Sequence, residues 1–173
     1  MPKEEWGKFK PDTPWGTMPF LEVDGKRIGG SPVIARFLSE RFGLAGSDDV
    51  ENAQIAAVLV AVEDVATELL KMVYEKDEGK KAALKKELEE TKLPGKLQFF
   101  ENLIAKSTAP EGWLFGKVTY ADFSVALMVT DMITLVGLGD CVDKFPKIRA
   151  LQQAVENLPK IKEWIEKRPK SDY

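Results

Sequence analysis

Few residues in this chain are of types that do chemistry by themselves. It has one cysteine, Cys141, and no histidine. That removes disulfides, the usual zinc ligand sets, Ser–His and Cys–His nucleophile pairs and imidazole acid–base steps. A reaction here must use a hydroxyl, a carboxylate, a lysine or a bound cofactor. Ser31, in "GGSPVIARF", is the hydroxyl with the clearest local context. Ser followed by Pro marks a helix start, with the hydroxyl as N-cap and proline at the first helical position. The adjacent acids Glu63 and Asp64 fall at the edge of a long apolar stripe. Cys141 reads as an inert, partly buried thiol, since only Lys144 lies nearby in sequence to lower its pKa. Taken singly, Trp6 reads as a packing aromatic, Lys10 as a solvated charge, and Glu63 and Asp64 as an ordinary solvated helix face.

These residues must be carried by an ordinary globular chain. Its 173 residues are 44% hydrophobic and 31% charged, with a formal net charge of -3 and both signs interspersed. No basic block points to nucleic acid. No run of eighteen apolar residues points to a membrane span, and "MPKEEWGKFKPDTPWG" has no apolar core of a signal peptide. A lone cysteine fits a reducing, cytoplasmic location.

The elements follow from patterning. Residues 1–16, rich in Pro, Gly, Lys and Trp, read as an irregular lead-in. "TMPFLEVDGKRIGGSPVIARFL" reads as two short strands joined at Asp24-Gly25, the strongest short hairpin signal, and then a helix. Gly43 suits a helix C′ position, and Ser47 or Asp48 an N-cap for the next helix. A boundary there divides the chain into 1–46 and 47–173. From 49 to 74, Ile55, Val58, Leu59, Val62, Val65, Leu69 and Val73 fall at helical spacing. A charged segment from 80 to 106 carries Leu84, Leu88, Leu97, Phe100, Leu103 and Ile104, with Pro94 and Gly95 set to break or kink it. "STAPEGWLFG" is a loop. The most apolar helix, 120–136, opens on Thr119 and Asp122 at capping-box spacing and belongs at the centre of the core. Helices at 146–157 and 159–167 close the chain, and "KRPKSDY" reads as a frayed tail. A lone two-stranded hairpin is marginal in water, so something further must support it.

The order of these motifs resembles the glutathione transferases, most closely the sigma class that includes insect and nematode enzymes and prostaglandin D synthase. "EEW" with Lys10-Pro11, "TMPFLEVDGKRI", "SPVIARFLSERFGLAG", "GKVTYADF" and "NLPKIKEWIEKRP" match the family in register across nearly the whole chain. The resemblance implies a mostly α protein: a truncated thioredoxin-like α/β glutathione-binding piece over 1–46, then an all-α glutathione-transferase bundle over 47–173. It also implies what the hairpin leans on. The family's sheet has a further β-α-β unit, roughly 30 residues by the size of that motif. That unit carries a tyrosine that hydrogen-bonds the glutathione sulfur and favours the thiolate. Tyr74, Tyr120 and Tyr173 do not align with it, so no catalytic residue is assigned. An exposed hairpin edge with Phe20 and Leu21 uncovered invites self-association.

The resemblance further implies a site for glutathione as substrate, alongside a hydrophobic small molecule, in a homodimer. Met18 matches the position whose main chain pairs with the cysteinyl residue, with a cis bond to Pro19. Ser31 matches the γ-glutamyl carboxylate binder, where a hydroxyl and free helix-start N–H groups suit an anion. Trp6 and Lys10 match holders of the glycyl end, and Asp64 the acid that reaches across a dimer to the γ-glutamyl ammonium. Gly30 stands where a glutamine is usual and Thr17 where a lysine or glutamine is usual. Each loss of a hydrogen bond to a charged group costs about 1.5–3 kcal/mol, so weaker glutathione binding is expected. A related metal site uses acids on the Asp64 helix; here Val60 fills one of those places, two acids make a poor magnesium site, and no metal is expected. The functional expectation is glutathione thiolate conjugation to hydrophobic electrophiles. The alternatives are a non-catalytic ligand-binding or structural relative, or a truncated product.

Overall fold

The computed structural model describes residues 3–109 and 111–169, leaving Tyr173 and most of the expected frayed tail outside the described residues. Two compact units follow one another, Met1–Ala45 and Gly46–Tyr173.

The first unit is a small ββα piece behind a short helix. The lead-in is more regular than its composition suggests: α1 spans Lys3–Phe9. The seven residues contain no proline, and the α-helix stops two residues before Pro11. Two single 3-10 turns follow at Lys10–Asp12 and Pro14–Gly16. Strands β1 (Phe20–Val23) and β2 (Lys26–Gly29) pair antiparallel, Phe20 opposite Gly29 and Val23 opposite Lys26. Asp24 and Gly25 both take positive φ, 51° and 72°, the two-residue turn whose twist suits flanking strands. Among the described residues these are the only strands.

Phe20 is not left uncovered. The Arg27 guanidinium lies 5.2 Å above its ring, donates to Glu22 at 3.0 Å and reaches the Asp12 carbonyl, which ties the hairpin to the lead-in. Helix α2 (Ser31–Arg41) follows without a linker. Its N-cap is Gly30, not Ser31: Gly30 takes φ 93°, a conformation comfortable only without a Cβ. Ser31 and Pro32 therefore occupy the first two helical positions. At the other end Gly43 takes φ 72° and the Leu44 N–H donates to the Ser39 carbonyl at 2.9 Å, a left-handed helix stop.

The second unit is all helical. Helix α3 (Asp49–Tyr74) is capped by the Asp48 carboxylate, which accepts from the Glu51 N–H at 2.8 Å. Its buried stripe is Ile55, Val58, Leu59, Val62, Val65, Leu69 and Met72. Met72 replaces the expected Val73 because the buried positions keep steps of three and four, and Val73 falls on the flank. Helix α4 (Glu78–Glu87) runs through a π-turn at Leu88–Lys92 into α5 (Leu93–Ala105). The expected break at Pro94 is thus absorbed: a wider turn accommodates a residue that has no N–H to donate. The turn also puts Leu93, absent from the expected core, at full burial beside Leu88 and Leu97.

The central helix runs as α6 (Tyr120–Phe123), a π segment (Ser124–Val129) and α7 (Thr130–Leu135), with Ala121, Val125, Ala126, Val129 and Ile133 fully buried. A one-turn helix α8 (Asp140–Asp143), not foreseen, leads to α9 (Pro146–Glu156) and α10 (Pro159–Lys167). The start of α9 is capped from outside its own sequence. The Glu101 carboxylate on α5 accepts from the Lys147 and Ile148 N–H groups, both at 3.0 Å.

An ion cluster fixes α3 to the π-turn. Glu68 accepts from Lys71 and from Lys92, both at 2.7 Å, and Lys92 also reaches Glu87 at 3.2 Å. Lys71 and then Lys92 hold the Glu68 carboxyl down at about 2, against an ordinary 4.5. The folded-state value lies below the unfolded one, so this contribution is present above the unfolded value and fades as the pH falls through the window between them. Glu68→Gln is expected to leave the urea midpoint less sensitive to acidification from about pH 6 to about pH 3. Parallel midpoint curves for parent and variant would show that the cluster does not couple to folding.

Candidate functional site

The first unit concentrates backbone features around one corner, where the segment before β1 meets the start of α2. The Met18–Pro19 peptide is cis. The Pro19 carbonyl accepts from the Gly30 N–H at 3.2 Å, and the Gly30 carbonyl accepts from Ile34 at 3.0 Å. These two bonds set Pro19 beside the helix start. Because Pro32 has no N–H, the donors left at this end are Ser31 and Val33, and among the described residues nothing accepts from them. The exposed Ser31 hydroxyl also has no partner among the described residues. A hydroxyl and two free N–H groups at the positive end of an eleven-residue helix are donors of the kind that suit an anion.

The lead-in adds a cation and aromatic groups. Lys10 is exposed, and its stem lies along Gly16: a Cβ there would come within 3.3 Å of Lys10 Cε. Gly16 itself takes φ 64°. Trp6 is half-buried in α1. Trp15 was not singled out from the sequence. It holds φ 58° with 89% of its surface exposed, an uncommon backbone state for a bulky residue three residues before Met18. Gly29 is needed beneath it, because a Cβ there would lie 2.8 Å from Pro14 and 3.3 Å from Trp15.

Of the six residues singled out from the sequence, the structure therefore brings Pro19 to the start of α2 at Ser31, with Met18 adjoining, and places Trp6 and Lys10 on the lead-in of the same unit. Asp64 belongs to the second unit, on the exposed side of α3, with its carboxylate 3.6 Å from Lys96. Gly30 offers no side chain, and the Thr17 hydroxyl turns back toward the Pro14 carbonyl at 3.5 Å. Among the described residues no cluster of three or more His, Cys, Asp or Glu side chains is placed to hold a metal. Cys141 is buried, and burial followed by Glu89 pushes its thiol up, away from the reactive thiolate.

A partial thioredoxin-like hairpin and helix, followed by an all-α bundle whose central helix opens on the Thr119–Asp122 capping box, is the architecture of the glutathione transferases. Residues 63–168 match the family described as "Glutathione S-transferase, C-terminal domain". Glutathione S-transferase 2 of Manduca sexta is 32% identical, over 98% of this chain and 83% of its own length. Hematopoietic prostaglandin D synthase of Gallus gallus is 36% identical, over 96% of this chain and 80% of its own. The solved structure of prostaglandin synthase D of Nilaparvata lugens superposes with a TM-score of 0.88 at 36% identity, covering 99% of this chain and 84% of that one. The chain belongs to the glutathione S-transferase family. Among the described residues no helix is long and apolar enough to cross a membrane.

Proposed function

We propose that this chain is a sigma-type glutathione transferase unit, a cytoplasmic homodimer that joins the glutathione sulfur to hydrophobic electrophiles in detoxification. The observation that carries the proposal is the corner at Ser31, where free N–H groups and a hydroxyl stand beside Pro19. Glutathione is an anionic tripeptide in extended form, and the corner offers what its γ-glutamyl carboxylate needs. The cysteinyl residue pairs with the Met18 main chain in strand fashion. Lys10 and Trp6 take the glycyl end. Asp64 of a second subunit meets the γ-glutamyl ammonium, exchanging its contact with Lys96 for the ligand.

In the conjugation step the thiol gives up its proton and the sulfur lone pair attacks the electrophilic carbon. The C–S bond forms as the leaving group departs with its bonding electrons. The enzyme's part is to raise the thiolate fraction and hold the two reactants together. Gly30 and Thr17, in place of longer polar side chains, support a second reading: a family member that binds glutathione or an apolar ligand without turnover.

Calorimetric titration of the full chain with glutathione, followed by a turnover assay with 1-chloro-2,4-dinitrobenzene, separates the two. Binding with turnover supports the transferase. Binding without turnover supports the non-catalytic reading. No heat and no Trp6 fluorescence change at millimolar glutathione overturns the site.

A further inference from the structure

Helix α10 carries an apolar face that its own unit does not cover. It packs against α9, yet none of its residues is buried. Ile161, Trp164 and Ile165 stand three and four residues apart, which puts them on one face of the helix. Leu158, just before the first turn, extends that face. Leu158 and Ile161 are half-buried, whereas Trp164 is 61% and Ile165 38% exposed. An exposed tryptophan forgoes one of the largest areas that a side chain can bury.

The charges of α10 are sorted around that face. Lys160 and Lys162 flank it on either side, are exposed, and form no ion pair among the described residues. Glu163 and Glu166 fall on the opposite side, where Glu163 accepts from Lys167 at 2.5 Å. Arg168, at the end of the helix, is engaged within the chain by the Asp131 carboxylate of α7. The apolar face therefore has cations at its margins and no acid. It also lies at the basic end of an acidic chain: residues 144–170 carry eight lysines and arginines and three glutamates, in a chain of formal net charge -3. Such a chain turns its basic end toward a negative surface.

The form of the face selects the surface. A protein groove takes a helix through a row of anchors spread over two or more turns. Here the exposed anchors are two adjacent residues, Trp164 and Ile165, which suit a shallow contact. Tryptophan beside an aliphatic residue, with lysines at the edges, is the pattern of a helix lying in a bilayer interface. Nine residues span about 14 Å, too short to cross a bilayer, so the helix lies on it.

We propose that α10 docks the chain on anionic lipid bilayers, with Trp164 and Ile165 in the headgroup layer and Lys160 and Lys162 on the lipid anions. None of these residues belongs to the glutathione site, so docking is tested apart from that reading.

The test is sedimentation of the full chain with vesicles of phosphatidylcholine, alone or mixed with phosphatidylserine. Binding is expected to the mixed vesicles and is expected to weaken as salt rises. Lys160→Gln with Lys162→Gln is expected to weaken it roughly twenty-fold, since one lysine near an anionic surface is worth about fivefold. The same change at Lys85 and Lys86, exposed on α4, is expected to leave affinity within about twofold. Trp164→Ala is expected to cost about tenfold. All these positions are exposed, and unchanged circular dichroism checks that the variants fold. Equal binding to vesicles without phosphatidylserine would overturn the proposal, as would equal losses from the α4 and α10 lysine pairs. No binding to either vesicle would leave the face to a protein partner and overturn it. A parent that elutes as a larger species than Trp164→Ala in lipid-free gel filtration would assign the face to a second copy of the chain and also overturn it.

Discussion

Replacing Asp122 by alanine is expected to destabilise the helical unit by about 3 kcal/mol, a fall of roughly 10 °C in melting temperature for a domain of this size. Asp122 is fully buried. One carboxylate oxygen accepts from the Leu114 N–H at 2.8 Å; the other accepts from the Thr119 N–H at 2.7 Å and the Thr119 hydroxyl at 2.9 Å. Burial pushes the carboxyl up despite these donors, and the Leu114 and Thr119 N–H groups require an acceptor there. Alanine removes that acceptor and orphans two backbone donors. Asparagine discriminates between charge and connectivity. Its oxygen can still serve Leu114, but its NH2 then meets the Thr119 N–H, donor against donor. Asp122→Asn is therefore expected to recover little of the alanine loss. Thermal unfolding followed by circular dichroism reads both variants. An asparagine variant melting within about 2 °C of the parent would show that connectivity is not the issue and that this account of the capping box is wrong.

The same carboxylate shows what the sequence made legible. Thr119 and Asp122 are three apart, both are polar, and an apolar run follows. The rule for a capping box is local, so the start of the central helix could be read directly. Helical spacing did the same for Ile55 to Leu69, where each position depends only on neighbours three and four residues away. The readings that needed revision rest on balances of small local terms. Ser31 and Gly30 are both acceptable N-caps, and the backbone chose Gly30 because the turn out of β2 requires positive φ there. Pro94 could have broken its helix; the packing of Leu88 and Leu93 favoured a wide turn instead. α1 is short enough that composition argued against it.

What stayed illegible is non-local. Glu101 caps a helix 46 residues further on, and no spacing rule connects the two. Glu68 and Lys92 are 24 residues apart. The candidate glutathione site stands between these cases. Its residue types were visible only through family resemblance, because a half-buried tryptophan, an exposed lysine and a serine before proline have ordinary structural uses. The structure adds what resemblance alone did not contain: Gly30 rather than Ser31 as the N-cap, Val33 as the second free donor, and Trp15 held at positive φ.

Those donors lead to a sharp functional test, in which stability and binding are expected to move in opposite directions. Ser31→Asp places a carboxylate at the first position of α2, at the positive end of the helix, where an acid typically stabilises by about 0.3–1 kcal/mol. The first unit is expected to hold or gain stability. Glutathione binding is expected to fall by about two orders of magnitude. The γ-glutamyl carboxylate loses the hydroxyl's hydrogen bond, worth about 1.5–3 kcal/mol to a charged group, and meets a like charge at the donors it would use. Ser31→Ala, which removes only the hydroxyl, is expected to lose about tenfold. A serine acting only in the helix would give another pattern: the aspartate variant would be more stable and bind as the parent does. Calorimetric affinities for the three proteins, measured beside their urea midpoints, separate the cases. Parent-like glutathione affinity in Ser31→Asp would remove the anion-binding role from this corner and, with it, the strongest structural support for the glutathione site.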